Sequence, residues 1–258
     1  MSGPAVGDRF AGYPLKRSLD VAGALCALAL TLPLMLLAIA AVWVYDLDNP
    51  LYIAERVGMG GRPFRCLKIR TMVADASANA VDTTVAGDPR ITPVGRLIRA
   101  AKLDELPQFL HVLTGRMSLV GPRPNVPREV ALYTPVELAL LSVAPGVTDM
   151  ASIVFADLAD TLRDAVDPNI AYNQLVRPWK SRLGLHYLRC GSLGNDLRIV
   201  FYTLSVLVAR RWTLGRISAL LRRTDAPEEL SRFVLREDPL RPVPPPGARA
   251  IVTSRSRK

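Results

Sequence analysis

KLDELPQFLHVLTGRMSLVGPRP occupies residues 102–124. Two adjacent carboxylates, Asp104 and Glu105, precede Pro107 and an apolar set at helical spacing: Leu106, Phe109, Leu110 and Leu113. Proline suits the first turn of a helix, where a backbone N–H has no intrahelical partner to lose. A short helix is therefore predicted, with Asp104 at or beside the N-cap and the apolar set on its buried face. The stretch closes on a rigid turn in which Pro122 and Pro124 flank Arg123. Carboxylates at a helix start sit in a field that lowers their pKa and draws in phosphate. Such a group is either a nucleophile towards phosphorus or a ligand for a phosphate-bound Mg²⁺. The plain alternative is an N-cap that serves stability alone.

Outward from this stretch, composition narrows the partners. The chain has 258 residues, half of them hydrophobic, and 33 basic against 23 acidic side chains, a net charge of +10. That balance calls for an anionic partner. Nucleic acid is not expected, because aromatic residues are only 6 % and no nucleic-acid motif is present. Cys26, Cys66 and Cys190 are odd in number and lack metal-ligand spacing, which fits a reducing compartment without disulfides.

Residues 1–15 read as a flexible start, and Lys16 and Arg17 then open the uncharged run 21–45, long enough to cross a bilayer. It is too long for a signal peptide. Pro33 in its middle predicts a break, and Thr31 could serve a backbone group freed there. Basic residues flank the run on both sides, so charge bias does not select a spanning orientation. Spanning and re-entry through one face are both open on these residues.

Two strands, 51–56 and 64–69, are expected around a Gly58, Gly60, Gly61 turn, followed by a surface loop over 73–93. Arg96 and Arg99 share a helical face. Residues 130–143 read as a helix that Pro135 kinks or splits in two, and 172–188 as a helix interrupted at Pro178. The turn 145–149 places Thr148 and Asp149 by a pocket wall, while Asp157, Asp160, Asp164 and Asp167 read as a solvated face. The apolar run 199–209, bounded by Arg198, Arg210, Arg211 and Trp212, suits either a buried helix or one lying on an anionic membrane. The Pro-rich basic tail within 225–258 is expected to be disordered and to touch membrane electrostatically.

The blocks LDELPQ (103–108) and MSLVGPRP (117–124) resemble the signature of the bacterial sugar transferase family. ERVGMGGRPF (55–64), KIRTM (68–72), DPRITPVGRLIR (88–99) and PGVTD (145–149) follow in the family's order, and the resemblance covers roughly 14–212. It implies an α+β fold: a membrane-embedded re-entrant hairpin over 16–48 and a cytoplasmic catalytic domain over 49–224 with short strands and interfacial amphipathic helices. It implies transfer of a sugar-1-phosphate from a UDP-sugar to undecaprenyl phosphate at the bacterial inner membrane, as a glycan-initiating step. Asp104 is then the nucleophile and Glu105 its Mg²⁺-binding partner. Asp196 is a candidate second metal ligand. Arg123, held by Pro122 and Pro124, is a phosphate or uridine contact, with Arg99, Lys102 and Thr148 as further substrate-binding candidates. Anionic lipids and a second copy of the chain complete the expected partners. The chain departs from the family pattern at Ala54, His111, Arg116 and 149–153. A UDP-releasing glycosyltransferase and a non-enzymatic membrane adaptor are the rival readings.

Overall fold

The uncharged run becomes one long helix, α1 (Lys16–Asp46). The computed structural model describes residues 13, 15–73, 85 and 87–254. The expected flexible start and most of the expected loop lie outside those residues. Helix α1 continues through Pro33 and does not divide there. Proline removes one hydrogen bond, and the intact turns on either side carry the helix. Thr31 donates to the Ala27 carbonyl at 2.7 Å, reinforcing the turn before the proline.

Both halves of α1 are tied to the rest of the chain. Arg17 donates to the carbonyls of Val112 and Leu113, and Asp20 accepts from the Leu119 N–H at 2.9 Å and the Ser118 hydroxyl at 3.0 Å. Farther along, Met35, Ala38 and Val42 pack with Ile69 and Ile98. At the far end Asp46 forms a two-pronged ion pair with Arg70, at 2.6 and 2.7 Å. The opposite face leaves Leu30, Leu37 and Val44 largely exposed.

Strands β1 (Leu51–Val57) and β2 (Pro63–Ile69) pair antiparallel, as expected, with Leu51 opposite Ile69. Gly60 and Gly61 turn the hairpin at φ of 70° and 75°, a region that costs glycine nothing. Helix α2 (Pro93–Ala100), capped by Thr92, leads to a 3-10 turn (Leu103–Glu105) and to α3 (Gln108–Leu113). Strand β3 (Ser118–Val120) then pairs parallel with β4 (Gly146–Thr148). Between them lie α4 (Pro127–Val130) and a 3-10 segment (Glu137–Ser142), so that of the kink or split expected at Pro135 the chain takes the split, with a 3-10 segment in place of the second helical half. Pro135 lacks an N–H and cannot continue the first turn.

Short helices α5 (Met150–Val154), α6 (Leu158–Thr161) and α7 (Pro168–Ala171) follow. Long helices α8 (Arg177–Cys190), α9 (Leu193–Ser205) and α10 (Arg210–Arg223) then precede α11 (Glu228–Phe233). Pro178 lies in the first turn of α8, so the break expected there is a helix start preceded by a wide turn over Tyr172–Val176. Asp167 caps α7 as a helix-terminal carboxylate, not as part of a merely solvated face. In the core Trp179 stacks on Phe233 with centroids 3.8 Å apart. A buried ion pair, Arg177 to Glu137 at 2.6 Å, joins α8 to the 3-10 segment, and Ser181 donates to the same carboxylate.

The described part of the tail is packed, which corrects the expectation of disorder. Thr134, Gln174 and Arg182 donate to the carbonyls of Pro246, Val252 and Pro244, and Pro245 is buried. An extended Pro-rich segment has few N–H groups to satisfy, so these carbonyls, with the Val243 N–H donating to the Gln174 carbonyl at 3.1 Å, suffice to dock it.

Candidate active site

The 3-10 turn carries the two carboxylates, and its approach explains their setting. Lys102 adopts a left-handed conformation, φ 57°, which ends the preceding helix and turns the chain before Asp104. Asp104 is not the N-cap of α3: that position falls to Pro107, whose side chain cannot cap. Of the expected apolar face, Phe109 and Leu113 are half-buried while Leu110 is exposed, and Gln108 and Val112 take the most buried places.

Glu105 is clamped by cations. Arg123 donates to its Oε1, and Lys68, from β2, reaches the same oxygen at 3.0 Å. Burial opposes its ionisation, yet Arg123 and Lys68 outweigh that and hold the carboxyl well below the usual range. Arg123 is held in turn. Its Nη1 donates to the Val147 carbonyl at 2.9 Å, and its N–H to Asp149. The proline-flanked turn sits where β3 and β4 run close: a Cβ on Gly146 would stand 2.2 Å from the Gly121 nitrogen. Only glycine allows that approach.

Asp104 differs from its neighbour. Among the described residues no hydrogen bond or ion pair engages its half-buried carboxylate. Burial and the charge of Glu105 raise its pKa, against the pull of Lys68, Arg99 and Arg123. The low pKa expected from a helix N-terminus is corrected here: the helix field is absent, and burial beside a like charge dominates. One carboxylate is thus spent on organising cations, and the other is free.

Arg99 turns inward, its Nε donating to Thr71 Oγ1 at 2.7 Å, whereas Arg96 is exposed, so the expected basic pair is separated. Lys102 is exposed at the rim. The Thr148 hydroxyl contacts Thr203 Oγ1 at 2.6 Å and is buried. Three cations escaped the sequence reading as site residues. Lys68 holds Glu105, Arg56 on β1 is half-buried among the charges of Arg123 and Glu105, and Lys180 on α8 feels those of Asp149, Arg123 and Glu105. Lys68 and Arg56 lie in the blocks 68–72 and 55–64, whose strand pairing brings them in, and Lys180, outside any block, comes in by helix packing. His111, a departure from the family pattern, accepts the Leu67 N–H on Nε2 at 2.9 Å and so fastens α3 to β2.

Asp196 is not brought to this cluster. It is fully buried, and Lys16, Tyr13 (2.8 Å) and Tyr187 (2.8 Å) occupy its two oxygens; it shares no hydrogen-bonding partner with Glu105. Burial and Asp196 push both phenols up, so they remain donors. This network fastens the start of α1 to α8 and α9. Among the described residues, no group of three or more His, Cys, Asp or Glu side chains is placed to hold a metal. A Mg²⁺ held by one or two carboxylates together with substrate phosphates needs no such group, and the Asp104–Glu105 pair fits that donor chemistry.

Residues 11–210 match the sequence pattern of the bacterial sugar transferases. The chain belongs to that family. It is 37 % identical over 196 residues to the UDP-glucose:undecaprenyl-phosphate glucose-1-phosphate transferase of Caulobacter vibrioides, covering 75 % of this chain and 69 % of the relative. Similarity to the exopolysaccharide production protein ExoY of Rhizobium meliloti is 36 % over 216 residues, covering 78 % and 88 %. The UDP-galactose-lipid carrier transferase of Erwinia amylovora is 35 % identical over 213 residues, and this chain spans only 41 % of that longer protein.

Proposed function

We propose that this protein transfers a sugar-1-phosphate from a UDP-sugar to undecaprenyl phosphate, through a phospho-sugar carried on Asp104. The observation that carries this reading is the division of labour in the dyad. Arg123 and Lys68 hold Glu105 through its Oε1, which leaves its other oxygen for a metal, while Asp104 is free and surrounded by cations. Membership of the family and its named relatives give the substrate class.

An Asp104 carboxylate oxygen attacks the β-phosphorus of the donor. The bond from that phosphorus to the bridging oxygen breaks, and UMP leaves with the oxygen and its charge. An oxygen of the lipid phosphate then attacks the same phosphorus, which frees the Asp104 carboxylate and yields a lipid diphospho-sugar. An anionic nucleophile approaching an anionic diphosphate needs fixed positive charge, which Arg123, Lys68 and Arg99 supply without reorganising. Asp104 and Glu105 would hold a Mg²⁺, which neutralises charge on the diphosphate when bound. A covalent carrier lets a water-soluble donor and a lipid acceptor use one site in turn.

The acceptor fixes the setting at the cytoplasmic face of the inner membrane. At ~1.5 Å per residue, α1 is about 46 Å long against a ~30 Å hydrocarbon layer. The catalytic domain holds α1 near Asp20 and again from Met35 to Asp46, which leaves no stretch of ~20 residues free to span. That supports an undivided helix lying in the near leaflet without crossing it, with the apolar outer side of α1 in lipid. A second lipid contact is proposed where α9 and α10 expose Phe201, Leu204 and Trp212 beside Arg198 and Arg216. The name of the Rhizobium meliloti relative supports a role in exopolysaccharide production.

The test is the nucleotide released. Purified protein with Mg²⁺, undecaprenyl phosphate and a panel of UDP-sugars should release UMP, and Asp104→Asn should abolish it. Release of UDP would refute the reading in favour of simple glycosyl transfer.

A further inference from the structure

Lys180 lies on α8, four residues before Gly184, so both share one helix face. A Cβ on Gly184 would stand 3.7 Å from Pro122 Cβ, which sets that face against the turn bearing Arg123. The Lys180 ammonium rests over the Tyr172 ring at 5.4 Å, and among the described residues it has no hydrogen bond or ion pair. The charges that bear most on it are those of Asp149, Arg123, Glu105 and Lys102. Those that bear most on Asp104 are Glu105, Lys68, Arg99 and Arg123. Arg123 and Glu105 thus act on both the nucleophile and Lys180, which belong to one charged cluster.

We infer that Lys180 contacts the phosphate of the departing UMP and stabilises the charge that forms there. The inference rests on the transfer reaction proposed above. In-line displacement puts the leaving oxygen opposite the attacking one. Arg123 and Lys68 are engaged by Glu105 and Arg99 by Thr71, whereas the unpaired Lys180 ammonium, on the helix face set against the Arg123 turn, is a cation left for the leaving phosphate. An ammonium with no protein partner, steadied by an aromatic ring, is free to take that phosphate. The fixed cations near Asp104 serve the transferred phosphate, and Lys180 serves the group that departs. Burial holds the ammonium down to about 8, so its charge is lost as pH rises through that value.

UMP itself is the probe, with uridine as its phosphate-free control. Calorimetry on the full-length protein in detergent should show Lys180→Met binding UMP at least about tenfold more weakly, and Lys180→Arg within about threefold of wild type. Uridine should bind all three alike, because it lacks the phosphate. Wild-type affinity for UMP should fall above about pH 8, and that of Lys180→Arg should not. Equal UMP affinity in wild type and Lys180→Met overturns the inference alone. Parallel loss of UMP and uridine binding also overturns it, because it marks Lys180 as structural. A wild-type protein that binds no UMP overturns the donor reading itself, and the inference with it.

Discussion

Replacing Arg123 with Met removes a guanidinium that donates both to Glu105 and to the Val147 carbonyl. A hydrogen bond to a charged group is worth ~1.5–3 kcal/mol. The Arg123 and Glu105 side chains are 28 % and 22 % exposed, and solvent screening puts the combined loss near the lower end, about 2–3 kcal/mol. Lys68 remains on Glu105, so no carboxylate is stranded. For a domain of this size that loss lowers Tm by about 5–10 °C. Activity suffers more, because a preorganised cation beside the reacting phosphate is worth ~10²–10³ in kcat. Arg123→Lys restores the charge without the planar fork and should recover only part of the rate. The assay is a thermal melt of each variant beside UMP release at saturating donor. A melt within about 1 °C of wild type, with turnover within about threefold, would refute the reasoning about this turn.

Asp196→Asn should destabilise the protein by ~1.5–3 kcal/mol, read by chemical denaturation, because Lys16 loses its closest charged partner but keeps Asp20 and the Val120 carbonyl. The Mg²⁺ concentration that gives half-maximal turnover should stay unchanged; a large increase would return Asp196 to the metal. In the pH–rate profile the acid limb should lie above the ordinary aspartate value, since Asp104 must be ionised to attack and its pKa is raised. Loss of activity only below about pH 4 would contradict that. Burial lowers the His111 pKa, so its bond to Leu67 contributes fully above the unfolded value of ~6.5. That contribution is lost as pH falls from there towards the depressed folded value, and denaturation midpoints at pH 7.5 and 5.5 should differ more in wild type than in His111→Asn. Ending the chain at residue 239 removes the strap over Gln174 and Arg182 and should lower Tm by several degrees, whereas a loose tail would leave it unchanged.

Local chemistry made much of this protein legible in its sequence. The β1–β2 hairpin followed from its glycine turn. The dyad and the proline-flanked arginine stood side by side in one stretch. What the sequence concealed depended on tertiary placement. Asp104 and Glu105 are adjacent, yet their pKa values move in opposite directions, because only Glu105 meets Arg123 and Lys68. Asp196 looked like a spare acid until Tyr13, Lys16 and Tyr187 surrounded it. The tail's prolines read as disorder, whereas the Pro244 and Pro246 carbonyls accept from Arg182 and Thr134, more than sixty residues away in the chain. Lys180 had no motif at all.

Intact mass after mixing with a turnover-competent UDP-sugar, without lipid acceptor, tests the central claim most directly. The wild-type chain should gain one sugar phosphate on Asp104, lose it when undecaprenyl phosphate is added, and show no gain as Asp104→Asn. A wild-type chain that turns over without ever gaining that mass, or an Asp104→Asn chain that gains it, would contradict the account.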